Sequence, residues 1–185
     1  MIGPLTNLAM AIRLEPELPN LVKRVSIMGG TTEGKGNASM PSEFNIYCDP
    51  EAAHVVFEAF EVKKNPKILL FPWETCLKHK MTWSFYDMVT GRGPYKQTQA
   101  GFVLKEATAV CEKFCRVSDK DKVGEDWTPC DAYAAAVLLD EGLVTEGKDL
   151  YVATERSGIL SRGATVIDWY GTKKTKTAKV VLAID

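Results

Sequence analysis

The sequence predicts an α/β-type domain, or a piece of one, because two kinds of segment take turns along the chain. Short apolar runs, Val25-Ser-Ile-Met28 and Lys67-Ile-Leu-Leu-Phe71, run into glycine or proline and read as buried strands. Stretches with apolar residues at helical spacing lie around them, such as Leu5, Leu8, Ala9 and Ile12. Of the 185 residues, 45% are hydrophobic and 25% charged, a globular balance that excludes disordered and fibrous classes. The length fits one domain, taken here as residues 1–185.

In chain order, the first helix places its apolar stripe on a core and stops at Glu15-Pro-Glu-Leu-Pro19. A second helical turn leads into the strand ending at Met28, and residues 29–42 form a polar, glycine-rich loop. A loop of that length after a strand commonly carries a site. Asp49-Pro50 supplies an N-cap and a proline at the first helical position, with Ala52, Val55, Val56 and Ala59 as the buried stripe. The strand ending at Phe71 passes into an expected loop, Pro72-Trp-Glu-Thr75. Beyond it come some helix, a loop at Thr90-Gly-Arg-Gly-Pro94, a helix near 97–115 and a turn at 122–126. Thr128-Pro-Cys-Asp131 reads as a capping box that opens a helix over Cys130–Leu139. Strand-like runs follow at Leu150–Thr154, Ala164–Trp169 and Ala178–Ala183.

Composition narrows the function. Lys and Arg number 23 against 24 Asp and Glu, a net charge of −1, so there is no chain-wide basic field to hold a nucleic acid polymer. No apolar stretch approaches a membrane span, and no signal peptide is visible after Met1. Cys48, Cys76, Cys111, Cys115 and Cys130 are odd in number and scattered, which favours reduced thiols and a cytoplasmic protein.

Three constellations bear on chemistry. Gly29-x4-Gly34-Lys35 approximates a phosphate-binding loop, but Gly36 stands where a Ser or Thr should hold Mg²⁺, and Pro41 falls where a helix should run. Cys111 and Cys115, four apart on a helix, read as buried thiols, since zinc would need further ligands and His54 and His79 are the only histidines. Asn37, Glu43 and Asn45 lie in or beside the loop after the first strand. In an extended chain Glu43 and Asn45 would point the same way. A carboxylate and two amides can grip a polyhydroxy ligand, or they can simply satisfy turn backbone. Asp131 is similarly either a helix cap or a carboxylate open to a cation.

Taken together, these segments resemble the inosine–uridine-preferring nucleoside hydrolases. The residues that carry the resemblance are Gly3-Pro-Leu-Thr-Asn-Leu-Ala-Met10, Ile27-Met-Gly-Gly30, Gly36-Asn37, Glu43-Phe-Asn-Ile46 and Asp49-Pro-Glu-Ala-Ala53. It thins between about 60 and 125 and returns at Cys130-Asp131, Arg162-Gly163 and Thr165-Val-Ile-Asp168. The resemblance implies an open, mostly parallel sheet with helices on both faces and a site at the strand C-termini. It implies cleavage of the N-glycosidic bond of purine or pyrimidine nucleosides to ribose and free base. It also implies a Ca²⁺ ion that holds the attacking water and the ribose diol, in keeping with calcium's need for hard oxygen ligands.

By the same resemblance, Met28 stands beside the ribose, Asn37 and Glu43 hold its 5′-hydroxyl end, and Asn45 serves its 2′/3′ side. The Thr6 carbonyl and the Asp131 carboxylate are metal ligands, Asp131 also facing substrate. Cys130 occupies the position of a frequent family histidine that protonates the leaving base, and Trp127 is placed to stack on a purine. The family's N-terminal DxDxxxDD cluster has no counterpart in the 185 residues. The chain is therefore expected to be an incomplete nucleoside-hydrolase-like domain, a C-terminal-half portion that alone binds calcium weakly and releases no base. A nucleoside is the expected partner, with a homo-oligomer allowed. The alternative is a non-catalytic ribose-binding or structural relative.

Overall fold

Strand β2 (Ile68–Phe71) is buried along its whole length because strands flank it on both sides and helices cover both faces. In the computed structural model, which describes residues 1–117 and 126–185, it sits in a four-stranded sheet of order β1-β2-β8-β5. β1 (Val25–Met28) runs parallel to it, with Val25 opposite Ile68 and Met28 opposite Phe71. β8 (Ala178–Ile184) runs parallel on its other side, with Leu70 opposite Val180. β5 (Val144–Leu150) closes the far edge antiparallel to β8. The sheet is thus mostly parallel, as the resemblance implies.

Residues 1–78 and 130–185 gather into one unit and 79–129 into another. In the first, alternation along β2 sends Ile68 and Leu70 to one face and Leu69 and Phe71 to the other. Ile68 and Leu70 join a cluster with Leu5, just before α1 (Thr6–Leu14), with Ala9 and Ile12 of α1, and with Ala53, Val56 and Phe57 of α4 (Pro50–Ala59). Of the expected stripes, Leu5, Ala9, Ile12, Ala52 and Val56 are buried and Leu8, Val55 and Ala59 partly so, while buried Ala53 and Phe57 lie outside the expected set. Asp49 caps α4 through its Oδ1, which accepts the Ala52 N–H at 2.9 Å. On the opposite face Phe71 stacks on Tyr133 of α8 (Cys130–Leu139), ring centres 5.7 Å apart. Ser26 Oγ of β1 donates to the Ala134 carbonyl of α8 at 2.6 Å. α2 (Leu18–Leu21) leads into β1, and Lys67 Nζ donates to the carbonyls of Pro19, Asn20 and Val22 around its end.

Three differences from expectation have physical causes. Residues 73–75, expected as loop, open α5 (Trp73–Lys78), where Pro72 ends the strand but also accepts the Thr75 and Cys76 N–H groups. The run expected over Leu150–Thr154 is split between β5 and β6 (Val152–Thr154), and β6 pairs antiparallel with β7 (Thr165–Ile167). β5 begins at Val144, because its exposed, charged Thr145–Asp149 stretch hides a sheet-edge strand from any search for apolar runs. A 3₁₀ turn, Glu141–Leu143, precedes it, and Glu141 forms a two-point ion pair with Arg24.

The second unit holds α6 (Trp83–Thr90), α7 (Gln99–Val117) and a two-residue pair of β3 (Met81–Thr82) with β4 (Asp126–Trp127). Tyr86 packs edge-on between Trp83 and Trp127, at 5.5 and 5.0 Å. The expected turn at 122–125 lies outside the described residues; Asp126 belongs to β4. The Cys111 and Cys115 side chains lie outside them too, though their backbone is helical. Among the described residues no helix is long and apolar enough to cross a membrane.

Because Leu70 is completely buried between strands and helices, Leu70→Ala should cost about 2–5 kcal/mol of unfolding free energy in urea titrations. A loss below about 1 kcal/mol would mean that the layer can collapse around the deleted atoms.

Candidate ribose-binding site

Strand β1 stops at Met28 because Gly29 and Gly30 turn the backbone away, and Gly30 takes φ +77°, a left-handed conformation that favours glycine. A Cβ on Gly30 would lie 2.7 Å from Thr165 Oγ1, so the turn also needs the missing side chain for space. The Gly29 N–H continues the ladder to Phe71, while the Gly30 N–H leaves the sheet and donates to Glu43 Oε2 at 3.1 Å. The following loop folds tightly on itself. The N–H groups of Asn37, Ala38 and Ser39 all point at the Ser42 carbonyl.

Glu43 is the N-cap of α3 (Phe44–Cys48). Its carboxylate accepts the Asn45 N–H at 3.0 Å and the Ile46 N–H at 3.4 Å, besides that of Gly30. The residue is only 2% exposed. Burial raises its pKa above the ordinary carboxylate value; the backbone N–H groups oppose the shift and the Asp131 charge adds to it. Asn45, in the first turn of α3, donates through Nδ2 to the Met28 carbonyl at 3.1 Å and touches Met28 Sδ at 3.3 Å. Among the described residues its Oδ1 takes no protein hydrogen bond. Glu43 therefore reaches the Gly30 turn as a cap and Asn45 reaches Met28 from a helical turn, which corrects the extended-chain geometry expected for them.

Asn37 is exposed, and its Oδ1 accepts the Phe44 N–H at 2.8 Å, so the turn-forming reading accounts for that oxygen. Its Nδ2 has no protein partner among the described residues. Asp131 lies in the first turn of α8, close enough to Glu43 for their charges to interact. It is solvent-exposed, yet the atoms around its carboxyl remove enough water to push its pKa up, against the pull of the Met1 ammonium.

The hydroxyl of Thr6 and the thiol of Cys130 each have a protein partner. Thr6 opens α1 and its hydroxyl donates to Asp49 Oδ2 at 2.5 Å, which places it at the α1–α4 packing. Cys130 is half-buried with its thiol against that of Cys76. The Trp127 ring is 7% exposed and packed on Tyr86, which leaves little face for the expected purine stack.

Several supporting residues carry no obvious sequence signal. Buried Glu74 accepts the Thr32 and Glu33 N–H groups, each at 2.8 Å, and so fixes the outer half of the loop. Ser42 Oγ donates to the Arg162 carbonyl, and Arg162 forms a two-point pair with Glu51 at 2.7 and 2.8 Å. Glu74 was findable in principle: it follows the end of β2 as Glu43 follows the loop after β1.

The donor set does not fit a calcium cage. Calcium takes about 6–8 oxygens, whereas among the described residues no three His, Cys, Asp or Glu side chains gather where a metal could sit. The chemistry this arrangement supports is recognition of a neutral polyol: a buried carboxylate, a carbonyl-anchored amide and a second amide grouped around the end of a strand.

A sequence model described as inosine-uridine preferring nucleoside hydrolase matches residues 1–185. A protein of that name from Leishmania major is 33% identical over 184 residues, covering 99% of this chain and 54% of its own length. A pyrimidine-specific ribonucleoside hydrolase RihA from Salmonella arizonae is 30% identical, covering 96% of this chain and 54% of its own length. Among solved structures, an inosine-guanosine nucleoside hydrolase superposes with TM-score 0.82 at 34% identity, over 100% of this chain and 56% of that one. The chain spans about half the length of the curated relatives it matches. It belongs to the inosine-uridine preferring nucleoside hydrolase family.

An acid whose folded-state pKa is raised supports the fold fully below its unfolded value, about 4.3 for Glu, and loses that support as pH rises through the folded value. Glu43→Gln cannot titrate, so as pH rises from about 4 its unfolding free energy should gain on that of the wild type. Urea titrations in chelator-treated buffer measure the difference. A difference that stays flat, or moves toward the wild type, would contradict the burial of this charge.

Proposed function

We propose, from membership of the nucleoside hydrolase family, that this chain supplies the ribose grip of an enzyme cleaving the N-glycosidic bond of nucleosides. The observation that carries the reading is the meeting of Met28, Glu43 and Asn45 at the Gly29-Gly30 turn. Asn45 Nδ2 is fixed on the Met28 carbonyl, which leaves its Oδ1 to accept from a ribose hydroxyl. The Glu43 carboxylate accepts from a hydroxyl at the 5′ end, helped by the Asn37 amide. Asp131 accepts from the ribose diol. Hydrogen bonds that strengthen as the sugar gains oxocarbenium character lower the barrier, whereas equal binding of substrate and transition state would not. Cleavage also needs a base for water and an acid for the departing nucleobase. We assign the water-activating carboxylates and the remainder of any calcium site to the length of the relatives that this chain does not span. Cys130 stands where the acid for the departing base is expected, and base preference is set by residues outside the pocket described. A reducing cytoplasm and a homo-oligomer complete the proposal.

A non-catalytic ribose-binding relative is the second reading, favoured by the want of a three-residue metal cluster among the described side chains. Ligand-observed NMR of the 185-residue chain with inosine, ribose and hypoxanthine, with base release followed in parallel, tests both. Inosine and ribose should bind, hypoxanthine alone should not, and no base should be released with or without calcium. Loss of one hydrogen bond is worth roughly 0.5–1.5 kcal/mol, so Asn45→Ala should weaken ribose binding about two- to tenfold. Binding of hypoxanthine without ribose would remove the ribose grip, and calcium-dependent base release would show a complete catalytic site in this chain. In a protein carrying the relatives' full length, Glu43→Gln should lower kcat/KM by roughly one to two orders of magnitude. An unchanged value there would remove Glu43 from the ribose grip.

A further inference from the structure

We propose that Cys76 and Cys130 are a modification site, a dithiol that hydrogen peroxide converts reversibly to a disulfide joining α5 to α8. Both cysteines are free thiols, and their side chains are in hydrogen-bonding contact across the packed α5 and α8 helices. Cys76 is completely buried, while Cys130, the first residue of α8, is half-buried and so open to a small oxidant. The Cys130 thiol beside it, together with burial, pushes the Cys76 thiol pKa up. Cys48, the remaining cysteine among those whose side chains are described, is exposed on α3, away from both helices in the chain. The ribose grip uses neither Cys76 nor, on any contact described, the Cys130 sulfur.

The chemistry balances with peroxide as the sole oxidant. Peroxide transfers one oxygen to Cys130 Sγ, giving the sulfenic acid and one water. Cys76 Sγ then attacks that sulfur: the S–S bond forms, the S–O bond breaks, and the hydroxyl leaves with the Cys76 proton as a second water. Two thiols and one peroxide thus yield one disulfide and two waters. A dithiol such as dithiothreitol reverses it by exchange. The bond would close segment 77–129, which contains the whole second unit, into a loop anchored on the first unit. Such closure restricts the unfolded chain and should raise the melting temperature. Disulfides in reducing compartments are commonly of this transient, redox-sensing kind.

The test is peptide mapping of the native 185-residue chain after dilute peroxide and alkylation of remaining thiols. A linked pair of peptides carrying Cys76 and Cys130 is expected, about 2 Da lighter than the two reduced peptides together, and dithiothreitol should abolish it. The Cys48→Ser/Cys111→Ser/Cys115→Ser variant should give the same product, with a melting temperature several degrees above its reduced form. If that variant does not fold, the wild-type map decides alone. Cys130 trapped as sulfenic or sulfinic acid with Cys76 reduced would overturn the proposal. So would linkage of Cys130 to a different cysteine, or a Cys76–Cys130 link that forms only after unfolding in urea.

Discussion

A buried carboxylate that receives backbone N–H groups from two separate stretches of chain holds the candidate site together. Glu43 ends the glycine-rich loop, caps α3 and reaches back to the Gly30 N–H just beyond β1. Without it, two donors in α3 and one in the turn would be left unpaired in a place water reaches poorly, at a cost of about 1–3 kcal/mol each. Its contacts fix the turn against the first residues of α3. They thereby set where Asn45 can stand, and Asn45 in turn is pinned to the Met28 carbonyl. The cost is electrostatic: burial and the nearby Asp131 charge both disfavour the ionised form. Such tension between a fold and a charge is common where a site must later meet a polar ligand.

The sheet makes this arrangement possible. Parallel β1 and β2 bring their C-terminal ends to the same edge, so the loop after Met28 and the start of α5 after Phe71 lie side by side. Trp73 N–H donates to the Gly30 carbonyl, and Glu74 accepts two N–H groups from Thr32 and Glu33. The loop and the first turn of α5 thus support each other. Helix α8, held on β1 through Ser26 and on β2 through Tyr133, carries Asp131 to the same end of the strands. Ligands collect at this end in open α/β sheets generally.

Much of this could be read from residues alone, and the misreadings have separable causes. Asp49-Pro50 announced α4 because a cap and a first-turn proline are local signals. Met28, Glu43 and Asn45 were legible as a group through the family resemblance, but their geometry was not, since a cap and a helical turn replaced the extended strand. β5 escaped notice because an edge strand with charged, exposed residues has no apolar run to reveal it. Thr6 illustrates a different limit: a motif position does not announce its side-chain partner, here Asp49, and the carbonyl expected as a ligand is a separate, backbone group. The contact between Cys76 and Cys130 joins residues far apart in sequence, so no local pattern could disclose it.

If the end of β1, with Glu43 and Asn45, is the ribose pocket, ribose must perturb the amides that surround it. Backbone and side-chain amide chemical shifts of the isotope-labelled chain during titration with ribose measure this. The largest shifts should fall on the Gly30 N–H, the Asn45 Nδ2 amide and the Asn37 side-chain amide, and saturate together. Saturable shifts centred elsewhere, with these three amides unmoved, would contradict it.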